Sequence, residues 1–234
     1  QSFAGAVPAK ECLAKSLNIP AVRLLEKVEL NNFYHKLKAL EINTLTQPAH
    51  HYGLSLVLGG AETSLWDLNK AYRKMAWQAN QLKKQNKYPS ISFKPEKTTI
   101  PFYSDFNQGA IHLTFNSMLE VIRPGEESSW KMFSSSRKVA WKTGTSYGFR
   151  DAWAIGITPE YVVSVWVGNA SGEGRPGIVG VKAAAPLLFD VYNLLPPSSW
   201  FKEPINDLKN FRICKESGFK AGNHCPNPMN VQLN

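Results

Sequence analysis

At 234 residues the chain is long enough to bury a full core in one large domain with a small appendage, and its 43% hydrophobic and 19% charged shares exclude a disordered chain. A net charge of +9 favours anionic partners such as nucleic acid, acidic headgroups or wall polymers, yet no aromatic-basic nucleic-acid module accompanies it. No run approaches about 18 uninterrupted apolar residues, the length a membrane helix needs; there is no secretory leader, and a first residue Gln rather than Met reads as a processed or excised piece.

In chain order, residues 10–43 read as helices around a polar Ser16-Leu17-Asn18: an early segment ending near Ser16, then 21–29 and 32–40. Val22, Leu25 and Val28 recur at helical spacing. A serine and an asparagine ahead of Pro20 are also an ordinary helix start. Cys12, among Leu13 and Leu17, reads as a small buried apolar residue. His50 and His51 carry no mark of a ligand. Ser64 is placed to cap the clearest helix, 64–82, whose stripe Leu65, Leu68, Ala71, Tyr72, Met75 and Ala79 is core packing. Residues 83–108 lose periodicity around Pro89, Pro95 and Pro101, a long loop with a short strand pair. Lys83, Lys84 and Lys87 there read as a solvated helix end or loop. Helix returns over 109–122 with Ile111, Phe115, Met118, Leu119 and Ile122, and stops before Pro124. Residues 138–168 are strand-like, and Val162, Val163, Val165, Trp166 and Val167 form the run of a buried central strand. A turn at 172–176 leads to a helix at 182–195 that can lie on the sheet. Pro196-Pro197 opens a linker. Cys214 and Cys225 then flank a Gly- and Asn-bearing loop. They form a candidate disulfide in an oxidising compartment, with a metal site of Cys214, His224 and Cys225 as the alternative. Helices first, then an antiparallel-type sheet with a closing helix, predict an α+β fold.

The chemistry concentrates at Lys142-Thr143-Gly144-Thr145-Ser146. Alternate residues of a strand project to one face, a glycine lets a ligand backbone come close, and the lysine and hydroxyls offer charge and donors to a carboxylate. KTG is one of three boxes shared by serine penicillin-binding proteins and β-lactamases. Ser16-Leu17-Asn18 supplies a second box, SxN, in the same order. The stretch Tyr52-Gly53-Leu54-Ser55-Leu56, running through Gly59-Gly60-Ala61-Glu62-Thr63-Ser64 to Ala71-Tyr72, extends the likeness. So do Phe149-Arg150-Asp151-Ala152-Trp153-Ala154-Ile155-Gly156-Ile157-Thr158-Pro159-Glu160 and Val165-Trp166-Val167-Gly168-Asn169. Over most of residues 10–195 the chain resembles the transpeptidase domain of class A, bifunctional penicillin-binding proteins, of the 1C type.

The resemblance implies a serine β-lactamase/D,D-peptidase-like α+β fold: a helical subdomain packed on a five-stranded antiparallel sheet, incomplete at its N-terminus. It divides the chain into 1–197, the larger part of the transpeptidase domain, and 198–234, a linker with the start of a small C-terminal extension. It implies acyl transfer from D-alanyl-D-alanine stem peptides through an acyl-serine, with no cofactor and no metal. Ser16 would shuttle a proton to the leaving nitrogen. Asn18 would orient the substrate amide, and Lys142 would supply positive potential. Thr143, Gly144, Thr145 and Ser146 would line the substrate edge, with Thr145 on the terminal carboxylate.

The family's nucleophile box, SxxK, is absent from the 15 residues before Ser16. Its later occurrences (Ser128/Lys131, Ser135/Lys138, Ser199/Lys202 and Ser217/Lys220) break the family order. The nucleophile is therefore expected upstream of residue 1, and the fragment is expected to be inactive alone. Its implied partners are stem peptides, β-lactams and the missing N-terminal segment of the same domain, not nucleic acid. The implied location is the periplasmic side of the bacterial inner membrane, reached through an N-terminal anchor and alongside an upstream glycosyltransferase domain. Two alternatives stand beside this reading. One is a β-lactam hydrolase, for which Glu62 and Glu96 are poor deacylating bases. The other is a non-catalytic β-lactam-sensing or wall-binding module.

Overall fold

A computed structural model describes residues 5, 7–81, 87–89, 99–101, 106–123 and 137–233. Ser128, Lys131, Ser135 and Glu96 lie outside the described residues, as do Lys83 and Lys84.

Four helices come first: α1 (Ala9–Ala14), α2 (Asn18–Val28), α3 (Leu30–Ala39) and α4 (Ala49–Tyr52), the last running into a 3-10 turn at Gly53–Leu58. Helix α2 starts three residues earlier than periodicity alone suggests, so Pro20 falls in its first turn. A proline there gives up an N–H that has no intrahelical partner anyway. Helix α5 (Leu65–Ala79) begins at Ser64, whose hydroxyl accepts from the Asp67 N–H at 3.0 Å. A short ladder of β1 (Lys87–Pro89) and β2 (Thr99–Pro101) follows, as the proline-rich stretch suggests. Helix α6 (Gln108–Met118) is capped by Asn107. It stops short of the expected 122, and Ile122 beyond it is exposed.

The central sheet is built from β3 (Ala140–Thr145), β4 (Asp151–Ile157) and β5 (Val162–Gly168), antiparallel, in the order β3-β4-β5. A π-helical turn at Gly180–Ala184 leads into α7 (Ala185–Leu194). The period of two sorts the side chains. One face carries Trp141, Ala152, Ala154, Val163, Val165 and Val167 against α7, around Leu188 and Tyr192. The other carries Ala140, Ile155, Ile157 and Val162 against α5 and α6, around Ile111, Phe115 and Met118. A third cluster, with Leu40, Ile42, Leu45, Leu56 and Ala71, holds the helical part together. In it the Lys74 ammonium, 3% exposed, pairs with the Glu41 carboxylate at 2.5 Å. The apolar stripe of α5 thus has one buried cation beside it that periodicity did not suggest.

The five-stranded sheet is corrected. Among the described residues the sheet beside KTGTS has three strands, and the other four strands pair off as β1-β2 and as β6 (Lys209–Cys214) with β7 (Pro228–Leu233). The run 139–168 offers consecutive extended segments joined by short turns; β1 and β2 have three residues each and pair with each other, and β6 pairs with β7 and, at Ile213–Lys220, with its own following loop. The segment read as a linker is packed. Phe201, 4% exposed, meets the Phe115 ring at 5.1 Å, and the Trp200 indole N–H reaches Asn116 Oδ1 at 3.2 Å. The Asp207 carboxylate accepts from the Gln108 N–H at 3.2 Å.

Candidate functional site

Strand β3 lies at one edge of the three-stranded sheet, so the KTGT run borders open space rather than another strand among the described residues. Trp141 anchors it. The ring is 1% exposed, and its indole N–H donates to the Val121 carbonyl at 3.1 Å. Past Trp141 burial declines along the strand, and Gly144 and Thr145 are exposed. The turn after β3 is fixed by Ser146: its N–H donates to the Asp151 carbonyl at 2.9 Å, and its hydroxyl accepts from the Asp151 N–H at 2.8 Å. Ser146 is thus occupied in shaping the turn.

Ser16 reaches this edge by a specific backbone device. The Ser16 N–H donates to Leu13 O at 3.2 Å and the Leu17 N–H to Cys12 O at 3.0 Å, while Ser16 has φ +53°. These bonds make a Schellman C-terminal cap on α1, with serine where glycine is usual. The cap turns the chain sharply between α1 and α2 and sets the Ser16 side chain outward.

There it meets Lys142. The Lys142 Nζ donates to Ser16 Oγ and, at 2.9 Å, to the Thr143 carbonyl. Two motifs 126 residues apart therefore share one hydrogen bond. Burial pushes the Lys142 ammonium below its ordinary pKa of 10.5, so it yields a proton more readily than a surface lysine. No carboxylate among the described residues hydrogen-bonds either side chain.

Thr143 and Thr145 point the opposite way from Lys142 by strand alternation. The Thr145 hydroxyl accepts from the Gly180 N–H at 2.9 Å. Asn18, exposed, opens α2 two residues beyond Ser16. The structure thus brings Ser16, Lys142, Thr143, Gly144 and Thr145 to one margin. Gly180 is the residue that reading the sequence missed; a lone glycine before a helix reads as an ordinary start, and only its contacts reveal it.

Two other features lie apart. A cavity of about 620 Å³ between the end of α5, the start of α6 and residues 199–207 shares no lining residue with this margin. At the β6–β7 end, Cys214, Glu216 and Cys225 place their ligand atoms within 4.8 Å of one another, both thiols being unbonded. His224 is not in that group. The Cys214 thiol lies 3.2 Å from a Glu216 oxygen, and the adjacent Cys225 thiol holds it below its ordinary pKa.

No family model matches the chain. It is 34% identical over 195 residues to penicillin-binding protein 1C of Escherichia coli strain K12, covering 82% of this chain and 24% of that protein. It is 25% identical over 202 residues to penicillin-binding protein 1B of Haemophilus influenzae, covering 82% of this chain and 25% of that protein. Among solved structures, penicillin-binding protein 1A of Haemophilus influenzae superposes with a TM-score of 0.69 over 100% of this chain and 41% of that one, at 16% identity, which is a likeness of fold. The chain spans about a quarter of the length of the curated relatives it matches.

Proposed function

From its homology to class A penicillin-binding proteins, we propose that this chain forms the substrate-binding and proton-transfer part of a serine-type D,D-transpeptidase that cross-links peptidoglycan. The observation that carries this is the Lys142–Ser16 hydrogen bond, which joins the KTG and SxN motifs at an open strand edge. The acylated serine is assigned to sequence outside these 234 residues. Its Oγ attacks the carbonyl carbon of the penultimate D-alanine. A C–O bond forms, the C–N bond to the terminal D-alanine breaks, and the proton lost by the attacking hydroxyl is relayed through Ser16 to the departing nitrogen. An amine of a neighbouring stem then attacks the ester, its C–N bond forms, the ester C–O bond breaks, and the proton the amine gives up returns to the departing serine oxygen. Splitting the exchange in two replaces one difficult step by two easier ones.

Lys142 is suited to its role because a desolvated ammonium is both a strong field source and a ready proton donor. Asn18 orients the substrate amide. Thr143 and Thr145 lie along the edge that receives substrate, Thr145 contacts the terminal carboxylate, and Gly144 keeps the edge low for close approach. The backbone N–H of Thr145 serves as half of the oxyanion hole, a donor worth about 3 kcal/mol of barrier. Residues 1–197 belong to the catalytic domain, and 198–234 are an extension whose Cys214 and Cys225, thiols here, are a pair that an oxidising compartment would join. The exposed stripe Leu187, Val191 and Leu194 on α7 is apolar surface of the kind the remainder of such a domain would cover. No described helix is long and apolar enough to cross a membrane; the anchor that holds the protein on the periplasmic face is assigned to other sequence. A lactam-hydrolase role is the weaker reading, since no carboxylate touches Ser16 or Lys142 among the described residues.

The test is benzylpenicillin labelling followed by intact-mass measurement. The intact gene product carrying these residues should gain one acyl adduct, and Lys142→Ala should slow its formation by about 10²- to 10⁴-fold. The 234 residues alone should gain none. An intact protein that is never acylated, or a Lys142→Ala variant acylated at the wild-type rate, overturns the reading.

A further inference from the structure

The helical segment 180–194 begins against the back of the KTGT edge, and Gly180 is the contact. A side chain at this position has no room. A Cβ on Gly180 would sit 2.5 Å from the Gly144 carbonyl oxygen, 2.8 Å from Thr143 Cβ and 2.8 Å from the Trp153 carbonyl oxygen. Two of these three are backbone atoms of paired strands and cannot swing aside. The absence of a side chain lets the Gly180 N–H come within 2.9 Å of Thr145 Oγ1.

That N–H opens the segment, ahead of the Lys182 and Ala183 N–H groups that donate to the Val179 carbonyl, so it has no acceptor within the helix and sits at the positive end of the helix dipole. Its hydrogen occupies one lone pair of the Thr145 oxygen. Two consequences follow for the hydroxyl. Its rotamer is held, because leaving it would strand a buried amide. Its O–H bond is polarised, because an oxygen that accepts a hydrogen bond becomes a stronger donor. Among the described residues the Thr145 hydrogen has no acceptor, and Thr145 itself is exposed. The arrangement is a chain of donors, Gly180 N–H to Thr145 Oγ1 and Thr145 O–H to open space, ended by whatever anion lies along the strand.

We infer that Gly180 is a positioning residue for carboxylate recognition: its bare Cα and amide N–H hold Thr145 so that the hydroxyl donates to the terminal carboxylate of the substrate. This rests on the transpeptidase reading above and deepens it. The ligand group it selects is a carboxylate next to the scissile amide or lactam, and an uncharged ester at the same place should gain nothing from it.

The test compares acylation of the intact protein by benzylpenicillin and by its methyl ester, in the wild type, Gly180→Ala, Thr145→Val, the double variant and Thr145→Ser. The wild type should prefer the acid strongly. Gly180→Ala and Thr145→Val should each cut the acid-to-ester rate ratio at least 10-fold, mostly through the acid. The double variant should be no lower than Thr145→Val alone, because both break one chain of donors. Thr145→Ser should restore most of the ratio lost in Thr145→Val. If Gly180→Ala slows acid and ester equally, or if the two losses multiply, Gly180 only packs and the inference is overturned. If Gly180→Ala does not fold, the Val and Ser variants decide: an unchanged ratio in Thr145→Val overturns it. A wild type that is acylated without preferring the acid removes the carboxylate role, and a wild type that is not acylated at all removes the transpeptidase reading beneath it.

Discussion

Ser16 shows how one residue can be set against its own backbone preference. A non-glycine residue at φ +53° costs about 1 kcal/mol or more relative to glycine. The C-terminal cap of α1 would be content with glycine, and only the side chain explains the serine. Ser16→Gly is therefore expected to leave thermal stability equal or slightly raised while slowing penicillin acylation at least 10-fold. Ser16→Ala should slow acylation as much and lower stability, since it keeps the strain and loses the Lys142 contact. Melting curves set beside acylation rates separate these outcomes; a Ser16→Gly protein that acylates normally sinks the role. Ser16 and Lys142 were legible as motifs because each is a short, spaced pattern. That they face each other followed only from the family resemblance, because nothing local links residues so far apart in sequence.

Among the elements, the strands announced themselves best. Val162 to Val167 and the alternation through Trp141 and Ala152 require extended chain, and β3, β4 and β5 lie there; the buried central strand, however, is β4, while β5, read as that strand, lies at the other edge among the described residues and is only half-buried. Strand count was a different matter: five came from likeness to a family, and the described residues form three beside the site. Helix α6 ends before the pattern of apolar residues does, since Val121 is buried outside any helix. The β6–β7 pair carries a prediction of its own. Cys214 and Cys225 hold their sulfurs within 4.8 Å of each other. Thiol–disulfide exchange with an oxidised dithiol donor would pass two electrons and two protons to that donor and close the loop between them, worth about 3 kcal/mol by the loop-entropy argument. Alkylation of the denatured protein should count one thiol, Cys12, without reductant and three with it. Three thiols in protein purified from an oxidising compartment would refute the bridge.

At the scale of the molecule, three apolar clusters share two faces of one sheet and a helical cap, and polar groups are drawn into them with partners. Lys74 pairs with Glu41, while Lys70 reaches Asp67 at 2.9 Å. His112, 7% exposed on α6, is held below its ordinary pKa chiefly by burial, which disfavours the imidazolium, with Glu203 partly opposing. Its folded-state pKa thus lies below the unfolded value of about 6.5. The unfolded chain takes up that proton first, so stability is fully present above pH 6.5 and falls as pH drops from there through the folded value. Urea midpoints should decline between pH 7.5 and 5.5, and His112→Gln should flatten that slope; an equal slope in both proteins would exclude His112 as the cause. By itself the sequence determined the α+β class, the places of the main helices and strands, and the two motifs, because periodicity, caps and short spacings are local properties. The tertiary structure alone decided that Ser16 meets Lys142, that residues 198–208 pack on α6 rather than hang free, and that Gly180 stands behind Thr145. Those are contacts between segments brought together by burial of the three cores, and no local pattern encodes which surfaces will meet.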